Sequence, residues 1–303
     1  RGPSQKCSTL TMFRIFKRPK RSFHDKPVKI PVLAVLRDER FSPNSVENDK
    51  AILLAVCAEL KMQLTGVDDI RVVSEKSFIE HPSGADIILS MARSEEALSL
   101  LSGLEADGCC VVNKPSGVRN CKRSVLAQLM KENGIPTATE KGNDGFWLKR
   151  NDTSAQKKDD IVFCNTAEDL MLAQQKFMQR GINDMVVSAH IPGDVVKFYG
   201  VGSHIFRFLY PGDTGISKFG LETYNGLPHH YAFDADALAQ YVYRLSELTG
   251  VAVYGGDAIV DKEGHFYIID FNDWPSFSPF RKTMAPSIAS EITARFKQHN
   301  QCE

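Results

Sequence analysis

The 303-residue chain is short of several things, and each shortage excludes a class of protein. It carries no net charge, with 37 basic against 37 acidic residues, so the bulk chain offers no argument for a nucleic-acid partner or a charged membrane surface. No run of about 18 apolar residues occurs, which removes membrane-spanning helices as a reading. No secretory signal pattern is visible. The cysteines number seven, an odd count without a CxxC, which argues against a disulfide framework and against a zinc ribbon. A reducing, cytoplasmic setting is the expectation. Three phosphate-binding signatures are also missing: the P-loop GxxxxGK[ST], the dinucleotide GxGxxG and the protein-kinase HRD loop. Nothing in the residues sets an oligomeric state.

What remains is an ordinary globular composition, 43% hydrophobic and 24% charged, long enough for about two domains. Residues 1–29 read as a basic, flexible, solvated arm, or less simply as an arm that helps hold an anionic ligand. The first eleven, RGPSQKCSTLT, lack an initiator methionine and read in part as residues left by cloning. From Ile30 strands and helices alternate. Strands are expected at Ile30–Leu36, Ile70–Val73, Ile87–Met91 and Cys109–Val112, with helices at Asn48–Leu64 and Ser94–Leu104. That alternation predicts a mostly parallel sheet in an N-terminal α/β domain, residues 30–118. The central unit, residues 119–190, opens with Arg119–Gly134, where Ser124 is placed to cap a helix carrying Val125, Leu126, Leu129 and Met130 that stops at Gly134. Its strands are Phe146–Lys149, Asp160–Cys164 and Met185–Ala189, with a helix that Thr166 and Asp169 cap as a box. The C-terminal unit, residues 191–303, holds strands Val195–Gly202 and His204–Tyr210, a helix from Asp234 to Gly250, a hairpin, and a last helix from about Ala285.

The hairpin carries the chemistry. Gly255–Val260 and Phe266–Phe271 flank a turn containing Gly264. A two-residue loop sets Asp257 opposite Asp270, and a four-residue loop sets it opposite Ile268. In both registers the period-two alternation puts Asp257, Asp270 and Asn272 on one face, and Ala258, Val260, Tyr267, Ile269 and Phe271 on the other, the core face. Two like charges close together on a ladder are unfavourable. They become favourable around a hard cation, and two carboxylates with an amide oxygen suit Mg²⁺, with Mn²⁺ as an alternative. A Mg²⁺ that takes its remaining ligands from phosphates calls for cations nearby, and Lys149 and Lys197 sit in strand patterns that supply them. Either lysine taken alone reads equally well as an exposed edge residue.

Taken in order, these segments resemble the ATP-grasp enzymes. The likeness runs through Asn113-Lys114-Pro115 with Arg119–Arg123, then Gly134-Ile135-Pro136, Phe146-Trp147-Leu148-Lys149, Met185–Ala189, His190–Gly202, and the Asp257, Asp270, Asn272 set. Within that superfamily the chain is most similar to the inositol-phosphate kinases, the inositol trisphosphate 5/6-kinase and diphosphoinositol pentakisphosphate kinase types. Asp270-Phe271-Asn272 stands where ligases generally carry Glu-x-Asn, and Lys197 where they more often carry arginine. The resemblance implies an α/β ATP-grasp fold that sandwiches ATP between its central and C-terminal domains. It implies ATP and Mg²⁺ as cofactors, with metal ligands Asp257, Asp270 and Asn272. Nucleotide contacts would come from Arg123, Lys149, Val187, Ser188, Ala189, His190 and Lys197.

Lys197, Arg207 and Arg281 would act on the transferred phosphoryl group and on a small anionic acceptor, an inositol phosphate or a carboxylate. Arg37, Arg40, His190 and Lys282 are further acceptor-side candidates. The alternative reading is a carboxylate–amine ligase working through an acyl phosphate, and a third is a non-catalytic nucleotide-binding scaffold. The sequence departs from the family at Ser188-Ala189, where an acid or amide is usual, so the base would be met through backbone groups. It departs also in the glycine-free loop 150–158, with Thr153, Ser154, Lys157 and Lys158 as phosphate candidates, and in the glycine-free tail Asp273–Phe277. Trp274 is expected in the core or a pocket wall.

Overall fold

The computed structural model describes residues 29–42, 45–151, 157–214 and 224–301. The basic arm and the candidates Thr153 and Ser154 lie outside them.

The first sheet is parallel in the order β2-β1-β3-β4, built from β1 (Val32–Leu36), β2 (Ile70–Ser74), β3 (Ile87–Ser90) and β4 (Cys110–Val112). Parallel strands need crossovers that cover both faces, which is why these strands read as continuous apolar runs. The covers are α1 (Val46–Gln63) and α3 (Glu95–Ala106), with a short α2 (Glu75–Glu80) that the sequence reading leaves unassigned. Six residues cannot show a helical period; Ser74 caps α2 by accepting from the Ser77 N–H.

The helix expected after Ser124 is α5 (Arg123–Glu132), and an unexpected short helix, α4 (Pro115–Asn120), precedes it. The chain breaks at Cys121-Lys122, and Lys122 rather than Ser124 is the cap position. Ser124 is occupied elsewhere: its N–H donates to Asn151 Oδ1 and its hydroxyl accepts from Asn151 Nδ2, both at 3.0 Å.

A second sheet is antiparallel, order β6-β5-β7, from β5 (Phe146–Arg150), β6 (Ile161–Cys164) and β7 (Met185–Ala189), covered by α6 (Ala167–Gln179). Thr166 caps α6 by accepting from the Asp169 N–H at 3.1 Å. The third sheet, order β11-β10-β8-β9, is also antiparallel: β8 (Asp194–Val201), β9 (Ile205–Leu209), β10 (Val253–Val260) and β11 (Phe266–Asp273). A single turn α7 (Pro211–Thr214) follows β9. Helix α8 (Ala235–Thr249) backs the third sheet, capped by Asp234 and closed by Gly250 in the left-handed region.

Helix α9 (Arg281–Gln301) starts four residues earlier than expected and carries Pro286 inside it. It packs on α1 and β4, so one apolar cluster runs from Val32 and Ile87 to Trp274, Ile288 and Phe296 and joins the first and third sheets. Among the described residues no helix is long and apolar enough to cross a membrane. The five described cysteines are free, and burial pushes the Cys57 thiol up to about 12 and Cys110 to about 11, which keeps both protonated and inert.

Candidate functional site

The third sheet brings three charged side chains into one row. Lys197, Asp257 and Asp270 are register partners across β8, β10 and β11, and Lys197 Nζ lies 2.7 Å from Asp257 Oδ1. The hairpin reaches this register by a route that neither simple turn predicts. Its loop runs over five residues, where Asp261 accepts from the Glu263 and His265 N–H groups at 3.1 and 2.9 Å. Val260 therefore pairs with Phe266 and Ala258 with Ile268; a bulge at Ile269 then restores Asp257 to Asp270. The extra residue also corrects a face assignment. Ile268 is fully buried, while Ile269 leaves the core and lines the cleft beside Asp270. Gly256 makes the approach of β11 possible, since a Cβ there would sit 2.1 Å from the Asp270 carbonyl oxygen.

Two cations from other elements face this row. Lys149 comes from β5 and Arg123 from the first turn of α5. Burial alone would raise the Asp270 carboxyl, but Arg123, Lys149, the Asn272 amide and Lys197 outweigh it and hold it below the ordinary carboxylate value. Lys149 is depressed, first by burial and then by Arg123, against the pull of Asp270 and Asp257. It makes no hydrogen bond or ion pair to another described residue. Burial opposes the Lys197 charge too, yet contact with Asp257 raises it overall.

These groups line a cleft of about 1080 Å³, above the upper end of ordinary ligand pockets at roughly 1,000 Å³ and roomy enough for more than one substrate. Its composition changes from end to end. Ile161, Val195, Ile259 and Ile269 line an apolar end with Trp147 and His190. Trp147 Nε1 donates to His190 Nδ1 at 3.1 Å, and indole is only a donor, so the neutral imidazole carries its proton on Nε2. Burial lowers the His190 pKa below its usual value, against a small raising effect of Asp144. The backbone at the end of β7 is partly spent: Ala189 and His190 N–H groups donate to Thr139 O and Gly145 O.

The other end is ionic and internally paired. Arg119 bonds Glu95 at 2.6 Å, Lys122 bonds Asp184 at 2.8 Å, and Arg93 bonds Asp273 at 2.7 Å.

Of the residues singled out in sequence, the cleft gathers Arg123, Lys149, Ser188, Ala189, His190, Lys197, Asp257, Asp270 and Asn272, with Arg37 and Arg40. Six do not line it, among them Lys157 and Lys158 of the loop before β6. Arg207 is exposed on β9, its guanidinium turned to the Phe206 carbonyl at 2.8 Å. Arg281 at the start of α9 bonds Asn48 Oδ1 at 2.9 Å. Val187 packs in the core of the second sheet. Lys282 is likewise outside, and Trp274 is wholly buried in the apolar cluster. Arg119, Lys122 and Trp147 fall in segments that carry the family resemblance but have no assigned role there, and Arg93 lies in none, because its place depends on long-range packing.

The donor set fits a hard divalent cation in part. Two carboxylates face each other on neighbouring strands amid buried chain, and an amide follows two residues on. The Asn272 amide nitrogen is turned to Asp270 Oδ2 at 2.9 Å, which leaves its oxygen available. Among the described residues no group of three or more His, Cys, Asp or Glu side chains forms an alternative metal site.

Neither a protein-family profile nor a curated protein sequence matches this chain. Solved structures do. The D-alanine–D-alanine ligase from Coxiella burnetii superposes with a TM-score of 0.62 at 11% identity, over 89% of this chain and 96% of that one. The chain has the ATP-grasp fold. The D-alanine–D-alanine ligase from Bacillus anthracis complexed with ATP gives 0.61 at 12% identity, over 89% of this chain and 97% of its own. The ATP-grasp ligase PsnB, complexed with a minimal precursor, gives 0.58 at 12% identity, over 88% of this chain and all of its own. At such identities the likeness establishes the ATP-grasp architecture along nearly the whole chain.

Proposed function

We propose that this protein is an ATP-dependent carboxylate–amine ligase that works through an acyl phosphate. The observation that carries ATP-dependent chemistry is the row Lys197–Asp257–Asp270 with Lys149 and Arg123 facing it. Phosphoryl chemistry asks for this kind of positioned charge. The ligase reading over the kinase reading rests on the acceptor end. A polyphosphorylated acceptor needs several uncompensated cations, whereas Arg93, Arg119 and Lys122 each have a carboxylate partner, and Arg207 and Arg281 lie away from the cleft. A site balanced in this way suits a substrate with one carboxylate and an amine. The ligases among the structural neighbours support the same choice.

In this reading the flat base occupies the apolar end, between Ile161 on one side and Ile259 and Ile269 on the other. His190 offers its Nε2–H there. Lys149, Arg123 and Lys197 lie along the phosphates and offset their charge. Asp257, Asp270 and Asn272 would hold Mg²⁺, which supplies charge neutralisation at the phosphate oxygens. A carboxylate oxygen of the first substrate displaces ADP from the γ-phosphorus; the amine of the second substrate then attacks the acyl carbon and releases inorganic phosphate. Both steps are displacements whose rates depend on alignment, which the cleft walls provide.

The second reading, phosphoryl transfer to an inositol phosphate, is favoured by Asp270-Phe271-Asn272 and by Lys197. Incubation with γ-labelled ATP and Mg²⁺ separates the two. With pooled carboxylates and amines the ligase reading expects label in inorganic phosphate, only when both pools are present and not with Asp270→Asn. Label on an inositol phosphate would replace the ligase with a kinase.

A further inference from the structure

The hairpin carries one more acid that the chemistry above does not use. Asp273 directly follows Asn272, and the residue is only 1% exposed. Arg93 reaches its Oδ1 through Nε at 2.9 Å and Nη2 at 2.7 Å, and Arg37 Nη2 reaches its Oδ2 at 3.3 Å. Both arginines also grip the main chain. Arg93 Nη2 donates to the Asp273 carbonyl at 3.1 Å, and Arg37 Nη2 donates to the same oxygen at 3.2 Å and to the Trp274 carbonyl at 3.0 Å.

The two arginines are themselves anchored at the C-terminal edge of the first sheet. Arg37 follows β1, bonds Asp49 at 3.1 Å and donates to the Met91 carbonyl at 3.3 Å. Arg93 follows β3. Glu75, also buried, accepts from the N–H groups of Asp38, Arg93 and Ser94 at 2.9, 3.1 and 2.7 Å, which ties the ends of β1 and β3 together.

A buried ion cluster of this kind is a poor device for stability alone, because apolar residues of the same volume do as well. Its distinguishing property here is direction, since the bonds that Arg37 and Arg93 send to the hairpin converge on Asp273, the last residue of β11, and on Trp274 after it. From this we infer that Asp273 is a positioning residue. Through Arg37 and Arg93 it suspends the end of β11 from the N-terminal sheet, and so fixes how Asp270 and Asn272 present their oxygens to a divalent cation. The inference rests on the reading of Asp257, Asp270 and Asn272 as cation ligands. Groups that orient metal ligands typically change affinity 10–100-fold when altered.

The test is Mn²⁺ binding, followed by the electron paramagnetic resonance of free Mn²⁺, alone and with a non-hydrolysable ATP analogue. The proteins are wild type, Asp273→Asn, Arg93→Lys and Asp270→Asn, with circular dichroism to report folding. Arg93→Lys keeps the charge and loses the two-point fork, and it decides the matter should Asp273→Asn not fold. The expectation is about tenfold weaker Mn²⁺ binding in Asp273→Asn and Arg93→Lys, with affinity for the metal-free analogue unchanged in Arg93→Lys. Mn²⁺ affinities within twofold of wild type in the folded variants would overturn the positioning role and leave the cation site standing. Failure of wild type to take up Mn²⁺, or equal uptake by Asp270→Asn, would overturn the cation site itself and this inference with it.

Discussion

Two clusters of acids and bases meet at the end of one strand, and they are built to opposite rules. On one face of β11, Asp270 sits with Asp257, Lys149, Lys197 and Arg123, and the bonding is incomplete: Lys149 has no hydrogen-bond or ion-pair partner among the described residues. On the other face, three residues later, Asp273 is closed on both oxygens by Arg37 and Arg93, and those arginines are held in turn by Asp49 and by a strand end that Glu75 fixes. In the proposed reading the same residue types make a binding site in one place and a joint in the other. Unspent bonding capacity next to buried chain marks the site, and charge alone does not.

The sharpest way to break that contrast is to neutralise one acid from each cluster. Asp270→Asn should lower ATP turnover by about 10²–10³-fold, the scale of losing one preorganised electrostatic group, with a loss in urea unfolding smaller than that of Asp273→Asn. Asp273→Asn should do the reverse in kind, costing about 3 kcal/mol in urea unfolding because it strands two buried guanidinium groups. Equal stability losses in the two variants would show that the clusters do not differ as described.

Acid unfolding sharpens the comparison further. The folded-state pKa of Asp270 lies below its unfolded value, near 3.9, so its contribution is fully present above that value and is lost as pH falls through the folded one. The fall in stability below about pH 4 should therefore be shallower in Asp270→Asn than in wild type.

Much of the open cluster is legible in the sequence. Period-two alternation is enough to put Asp257, Asp270 and Asn272 on one face, and a strand pattern is enough to aim Lys149 and Lys197. The bulge at Ile269 is not legible, because it arises from a five-residue loop closed by the Asp261 side chain, and turn chemistry at that detail has no strong sequence sign. The closed cluster is invisible for a different reason. Arg93 and Asp273 are 180 residues apart, and only the packing of α9 and the first sheet against the third brings them together. Arg207 and Arg281 illustrate the opposite limit, since a position along the chain does not settle where a side chain points. Neither side chain turns into the cleft.

Smaller effects are expected away from both clusters. His190 should titrate below its ordinary value, with its Nε2 protonated when neutral; stability from this group is complete above the unfolded value of about 6.5 and is lost as pH falls through the folded one. Nitrogen-15 chemical shifts of the ring check both statements, and a neutral Nδ1–H tautomer would contradict the Trp147 bond. Smallest of all, Arg207→Ala should leave kcat/KM within about twofold and stability within about 0.5 kcal/mol, as for an exposed side chain outside the site.

The measurement that bears most directly on the account uses a carboxylate substrate labelled with oxygen-18, incubated with ATP, Mg²⁺ and an amine. Attack by a carboxylate oxygen on the γ-phosphorus carries that oxygen into the phosphate that leaves. One labelled oxygen is expected in each inorganic phosphate released, with release about 10²–10³-fold slower in Asp270→Asn. Unlabelled phosphate alongside amide product, or phosphate retained on an organic acceptor, would contradict it.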